Sequence, residues 1–145
     1  MAPEREIRKE ILVAAPHSDV WMRWTTEVGI ATFFAPEAKI ELALGGTYEM
    51  TFMAEAPEGS RGSEGCQILS FLPDRMISFT WNAPPHLPEV RKERTWVVVL
   101  LDPEGPGQTR VTLAHRGWRA GADWDEAYRY FDRAWTLVLA RLQRA

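Results

Sequence analysis

Residues 122–145 constrain what this chain can fold into more than any other stretch. Trp124, Tyr128, Phe131, Trp135, Val138 and Leu142 follow one another at alternating steps of four and three, which places them on one helical face. Arg129, Arg133, Thr136, Gln143 and Arg144 fall on the opposite, water-facing side. Asp123, three residues before Glu126, reads as a capping box with Asp in place of Ser or Thr, after a break at Gly121. Arg141 and Arg144 suit the negative end of the helix dipole. A buried stripe this aromatic needs a large concave surface to cover it, and most of the remaining chain reads as strand. The expected architecture is α+β, a curved antiparallel seven-stranded sheet wrapped on one long C-terminal helix.

In chain order, residues 6–14 read as a first strand, ended by Pro16. His17, Ser18 and Asp19 offer cap candidates for a short helix carrying Val20, Trp21 and Trp24, and a second short helix is expected over 27–34. From residue 39 the period becomes two. Ile40, Leu42 and Leu44 alternate up to a Gly45-Gly46 hairpin signal, after which Tyr48, Met50 and Phe52 point one way. Residues 54–63 form a polar loop, and strands are expected over 65–72 and 76–81 about a Pro73-Asp74 turn. Residues 82–90, with three prolines, read as a long, stiff loop. Strands over 94–101 and 109–117 flank a turn at 102–108. In the first of these both faces are apolar, with Trp96, Val98 and Leu100 opposite Val97, Val99 and Leu101. A sheet with one wet face does not require that. Either the loop over 82–90 covers the outer face or a second copy does, and a homodimer is the expectation.

The 145 residues fit one domain over 1–145, with no repeat or linker dividing them. A formal charge of −3 with no basic run gives no reason to expect nucleic acid or acidic lipid as partner. The single cysteine, Cys66, excludes an internal disulfide framework and a cysteine-based metal knuckle. A polar N-terminus without an apolar core argues against a signal peptide, and no apolar run approaches the roughly 18 residues of a membrane helix. A cytoplasmic location is the expectation. His17, His86 and His115 lie far apart without ordered carboxylates, so neither a metal nor a cofactor is expected. No nucleophile elbow, phosphate loop or dinucleotide fingerprint occurs.

The residues resemble a known group. Ala15-Pro16, Val20-Trp21, Thr25, Phe34 to Pro36 and Gly45 to Tyr48 look like the START-like SRPBCC superfamily. More narrowly they resemble its branch related to the C-terminal domain of the activator of the ninety-kilodalton heat-shock chaperone's ATPase. The likeness runs on through Gly65, Ile68-Leu69, Pro73, Ser78 to Trp81, Thr109 to Leu113, His115, Gly117-Trp118, Tyr130-Phe131 and residues 135–142. It implies a helix-grip fold with a deep apolar cavity between sheet and helix. It does not imply one reaction.

A curved sheet cannot fill all the space beside one helix, so an enclosed pocket is expected, bordered by Tyr48, Phe52, Trp81, His115 and Phe131. Met50, Phe79, Trp118 and Trp135 complete the candidate ligand-binding set. Each ring has a simpler role as core packing. His115, inward by alternation with Val111 and Leu113, suits either a bond to backbone or a general base. No catalytic residue is assigned. The expected function is binding of a small apolar or aromatic molecule. The alternatives are a cyclase, lyase or hydrolase with His115 as base, and a protein-interaction module without ligand.

Overall fold

The computed structural model describes residues 4–145, and its elements run β1 (Ile7–Val13), α1 (His17–Thr25), α2 (Glu27–Ala31), β2 (Glu37–Ile40), β3 (Tyr48–Thr51), β4 (Ile68–Leu72), β5 (Met76–Trp81), α3 (Pro88–Arg91), β6 (Thr95–Pro103), β7 (Thr109–Arg116) and α4 (Ala122–Arg144). Seven strands and a long C-terminal helix are present as expected, with the two short helices after β1. All strand pairs are antiparallel. The strands do not form one continuous sheet. Five of them run in the order β1-β7-β6-β5-β4, while β2 and β3 make a separate ribbon.

The ribbon is still tied to β4. Tyr48 N donates to Cys66 O at 2.9 Å, and single bridges join Thr47 to Gln67 and Thr51 to Gly62. A regular ladder fails between them because Met50 N donates to the Ser63 hydroxyl, 2.7 Å away, instead of to a strand carbonyl. Gly62 lies so close to the Met50 carbonyl that any side chain there would collide with it.

Inside the five-stranded sheet the register stacks Ile7, His115, Val97, Phe79 and Ile68 in one row across all five strands. Every member of that row is buried. Alternation therefore directs this face inward, where α4 crosses it nearest to β1. Lys9 pairs with Asp132 at 3.0 Å, the Tyr128 hydroxyl donates to Glu6 O at 3.0 Å, and Gln143 Nε2 donates to Leu12 O at 2.9 Å. Those links set the helix along β1.

Ala127, Phe131, Trp135, Val138, Leu139 and Leu142 are the buried residues of α4, and Arg133 is exposed as the spacing requires. Trp124 and Tyr128 are only half-buried. The expected capping box is not formed. Gly121 occupies the N-cap with φ 132°, and no side chain caps the first turn. Likewise Pro16 is the N-cap of α1, with no side-chain bond from His17, Ser18 or Asp19. Pro16 O instead accepts from Asp19 N at 3.0 Å and Val20 N at 3.1 Å.

Two loops differ from the sequence reading. Residues 41–47 make a longer connection than a two-residue hairpin, leaving Leu42 and Leu44 exposed. The Gly45-Gly46 pair faces β4, where Gly45 N donates to Ile68 O and Ile68 N donates to Gly46 O, both at 2.8 Å. Residues 82–90 are not wholly loop, because Pro88 starts the short helix α3, which packs towards α4. That direction takes the segment away from the outer face of β6, where Trp96 stays 37% exposed.

Candidate functional site

The interior expected to enclose a ligand is filled by its own side chains. Tyr48, Met50 and Phe79 are fully buried, and the Tyr48 and Phe79 rings stand 4.4 Å apart. The Tyr48 hydroxyl donates to Trp24 O at 2.7 Å, and burial holds its ionisation well above the ordinary phenol range. Packing of β1 and α4 on the same row closes the sheet around these groups.

His115 is the polar centre of that packed region. Trp135 Nε1 donates to His115 Nδ1 at 2.9 Å, which makes Nδ1 an acceptor and leaves the proton on Nε2. Nε2 lies 2.7 Å from the Thr95 hydroxyl and donates to it, and that hydroxyl reaches Trp81 O at 3.3 Å. Trp118 Nε1 donates to His115 O at 2.9 Å. Rings of Trp118 and Phe131 stand 4.5 Å and 5.1 Å from the imidazole. Burial alone drives its pKa down to about 3, with no charged group contributing. Both nitrogens are engaged and the ring is neutral, so His115 lacks the free lone pair that a general base needs. Its place is structural, linking α4, β7, β6 and β5.

The open space lies to one side of this core. A cleft of about 280 Å³ runs between the middle of α4, the end of β5 and the loop after β3. Phe34, Trp81, Phe131 and Trp135 make its floor, with Ala134 and Val138 beside them. Phe34 is the hub of these rings, 5.6 Å from both Trp81 and Trp135 and 6.0 Å from Phe52. Phe52 lies past the end of β3 and is 44% exposed, so it stands at the mouth and not inside. Of the candidate residues, the cleft brings together Phe52, Trp81, Phe131 and Trp135. Tyr48, Met50, Phe79, His115 and Trp118 lie in the packed interior and do not border it.

The wall opposite α4 is held by one ionic node. Glu64 accepts from the backbone N–H groups of Gly59, Arg61 and Gly62, the last two at 2.7 Å and 2.9 Å. Arg91, from α3, lies 3.5 Å from the same carboxylate. It donates to Ala83 O at 2.6 Å, Gly59 O at 2.7 Å and Gly62 O at 2.8 Å. Burial acts to raise the Glu64 carboxyl, but the Gly62, Gly59 and Arg61 donors and the Arg91 charge outweigh it and hold the carboxyl below its ordinary value. Burial also lowers the Arg91 guanidinium, against the pull of Glu64. Two segments distant in sequence, 52–65 and 82–91, are thus joined into one rim.

Sequence reasoning missed Phe34, Arg91, Ala134 and Val138 as lining residues. Phe34 carried a signal, standing before Ala35-Pro36 at the end of the second helical segment. Arg91 carried none, because its role depends on a short helix hidden in a proline-rich segment. Elsewhere, Cys66 is buried and Arg94 Nη1 lies 3.5 Å from its sulfur. Burial pushes the thiol up to about 11 against the opposing pull of Arg94, which leaves it protonated and unreactive. His86 lies 3.6 Å from Glu126 at the surface. Among the described residues no cluster of His, Cys, Asp or Glu is placed to hold a metal, and no helix is long and apolar enough to cross a membrane.

Residues 14–145 match the family described as Activator of Hsp90 ATPase homolog 1-like protein. A search of curated proteins finds no match. Among solved structures the chain is similar to protein MLL2253 from Mesorhizobium loti, with 22% identity, a TM-score of 0.77, and coverage of 97% of this chain and 95% of that one. It is similar to the Aha1 dimer from Colwellia psychrerythraea, with 18% identity, a TM-score of 0.73, and coverage of 96% and 93%. Protein BH1534 from Bacillus halodurans shares 26% identity at a TM-score of 0.72, with coverage of 99% and 98%. The first two likenesses speak for the fold alone.

Proposed function

Because the chain belongs to the Activator of Hsp90 ATPase homolog 1-like family and has its helix-grip fold, we propose that it binds a small apolar or aromatic molecule in the cleft beside α4. The observation that carries this reading is the cleft's floor. Phe34, Trp81, Phe131 and Trp135 line an open space of about 280 Å³. Apolar surface left open in this way gains by covering itself with an apolar occupant, at about 25 cal/mol per Å². The enzyme alternative relied on His115 as base, and that imidazole is both fully hydrogen-bonded and outside the cleft. A neutral environment-sensitive dye such as prodan should bind the native protein with a blue shift and quench tryptophan emission. Ala134→Trp, which fills the cleft from α4, should weaken that binding at least tenfold while leaving the circular dichroism spectrum intact. Absence of dye binding to the folded wild type, or equal binding by the filled variant, would sink the proposal.

A homodimer through the outer face of the sheet belongs to the same reading. It is supported by the exposed Trp96 and Leu72 on that face and by the uncovered course of residues 82–90. The Colwellia psychrerythraea relative is itself described as a dimer. Light scattering at tens of micromolar should give twice the monomer mass, and Trp96→Glu should return a folded monomer. A wild type that scatters as a monomer rejects the dimer without touching the cleft. The buried, unpaired thiol of Cys66 suits a reducing compartment such as the cytoplasm.

A further inference from the structure

The cleft is apolar within but one-sided in charge at its rim. Arg61, Arg91 and Arg141 all line it, and among the described residues no Asp, Glu, Lys or His does. The chain as a whole carries 20 acidic against 17 basic side chains, so its overall balance does not account for a purely cationic lining.

The three arginines are not equivalent. Arg91 is committed to three carbonyls and to Glu64, and it holds the rim together. Arg61 and Arg141 are exposed and have no carboxylate within ion-pair distance among the described residues. Arg61 is also oriented. Its Nε donates to Ala56 O at 2.8 Å, which fixes the guanidinium while leaving both Nη groups without a protein acceptor among the described residues. A planar fork held by one nitrogen and open at the other two matches a carboxylate.

The floor dictates the rest of the occupant. Phe131 and Trp135 lie 6.3 Å apart with their planes 28° from parallel, and Trp81 is 5.8 Å from Trp135, so the floor offered to an occupant is aromatic. A volume of about 280 Å³ stands at the small end of ligand pockets, which begin at about 300 Å³, and suits a body of one or two fused rings. Resting on the reading of the cleft as the binding site, we propose that its ligand is a small aromatic carboxylic acid, bound as the anion. The ring body lies on Phe131 and Trp135, and the carboxylate faces Arg61 and Arg141 at the mouth. Water remains available to the charged head there, so the burial cost of the anion stays low.

Isothermal titration at low ionic strength with 2-naphthoate, neutral 2-naphthamide and cationic 2-naphthylmethylamine tests this directly. The wild type should bind the naphthoate at least tenfold more tightly than the amide, and the amine most weakly. In the Arg61→Gln, Arg141→Gln double variant the naphthoate advantage should shrink to about twofold. The amide should bind as before, which also shows that the variant is folded. Equal binding of naphthoate and amide by the wild type overturns the anion assignment and leaves the cleft as a site for neutral rings. An advantage that survives in the double variant overturns the assignment of the head group to these arginines. Failure of all three probes to bind removes the cleft reading itself, and this inference with it.

Discussion

Trp135→Ala is expected to destabilise the protein by roughly 3–5 kcal/mol, the range for removing a large aromatic from a core. Trp135 is 2% exposed, and its ring contacts Phe34, Trp81, His115 and Phe131. Truncation removes the common wall between the packed interior and the cleft. It also strips the donor from His115 Nδ1 and leaves a buried acceptor unpaired. Trp135→Phe separates the two effects, since it keeps most of the volume but not the hydrogen bond. It should cost about 1–3 kcal/mol, the penalty of one buried unsatisfied group. Urea denaturation of the three proteins at pH 7 measures both numbers. A loss below 1 kcal/mol in the alanine variant would show that α4 does not depend on this residue for its seat.

The second large effect is acid sensitivity. His115 is held neutral by burial with a folded-state pKa of about 3, against an ordinary value near 6.5. Between those values the unfolded chain binds a proton that the folded chain does not. Stability is therefore fully present above pH 6.5, falls as pH drops through the window from about 6.5 to about 3, and levels off below it. The slope inside the window is about 1.4 kcal/mol per pH unit. From pH 6.5 to 4.5 the wild type should lose roughly 2–3 kcal/mol more than His115→Gln, whose side chain does not titrate. Carboxylate protonation destabilises both proteins and cancels in the comparison. Parallel losses in the two would mean that the imidazole is protonated in the native state, contrary to its hydrogen bonding.

The sequence carried the element order because each part of it is written locally. The steps of four and three from Trp124 to Leu142 specify a helix, and alternation at Tyr48, Met50, Ile77, Phe79 and Trp81 specifies strands with one buried face. The resemblance of 15–142 to a known superfamily added the sheet-on-helix arrangement. What it did not carry depends on contacts between distant segments. The break between β3 and β4 follows from Ser63 taking the place of a backbone acceptor for Met50, and a hydroxyl thirteen positions away leaves no local trace. The expected caps at His17-Ser18-Asp19 and at Asp123 failed because Pro16 and Gly121 occupy the cap positions. The site was half legible for a related reason. Inward direction is a strand property, so Tyr48, Phe79 and His115 were correctly read as interior. Whether interior rings close on one another or stand apart is decided in three dimensions. They close on one another around His115 and again around Phe34, and the cleft opens only on the outer side of that second group.

The Glu64–Arg91 node has a consequence for how such a protein changes over time. One side of the cleft, with Phe34, Trp81, Phe131 and Trp135, is built from the residues that hold the fold together. The other side, with Phe52, Met53, Ser60, Arg61 and Pro85, is surface chain clipped in place by a single ion pair and its neighbouring carbonyls. Insertions or exchanges between the clip and β3 can reshape the mouth of the cleft while the helix keeps its grip. The rim can therefore vary in sequence at little cost to the core, whereas the floor cannot.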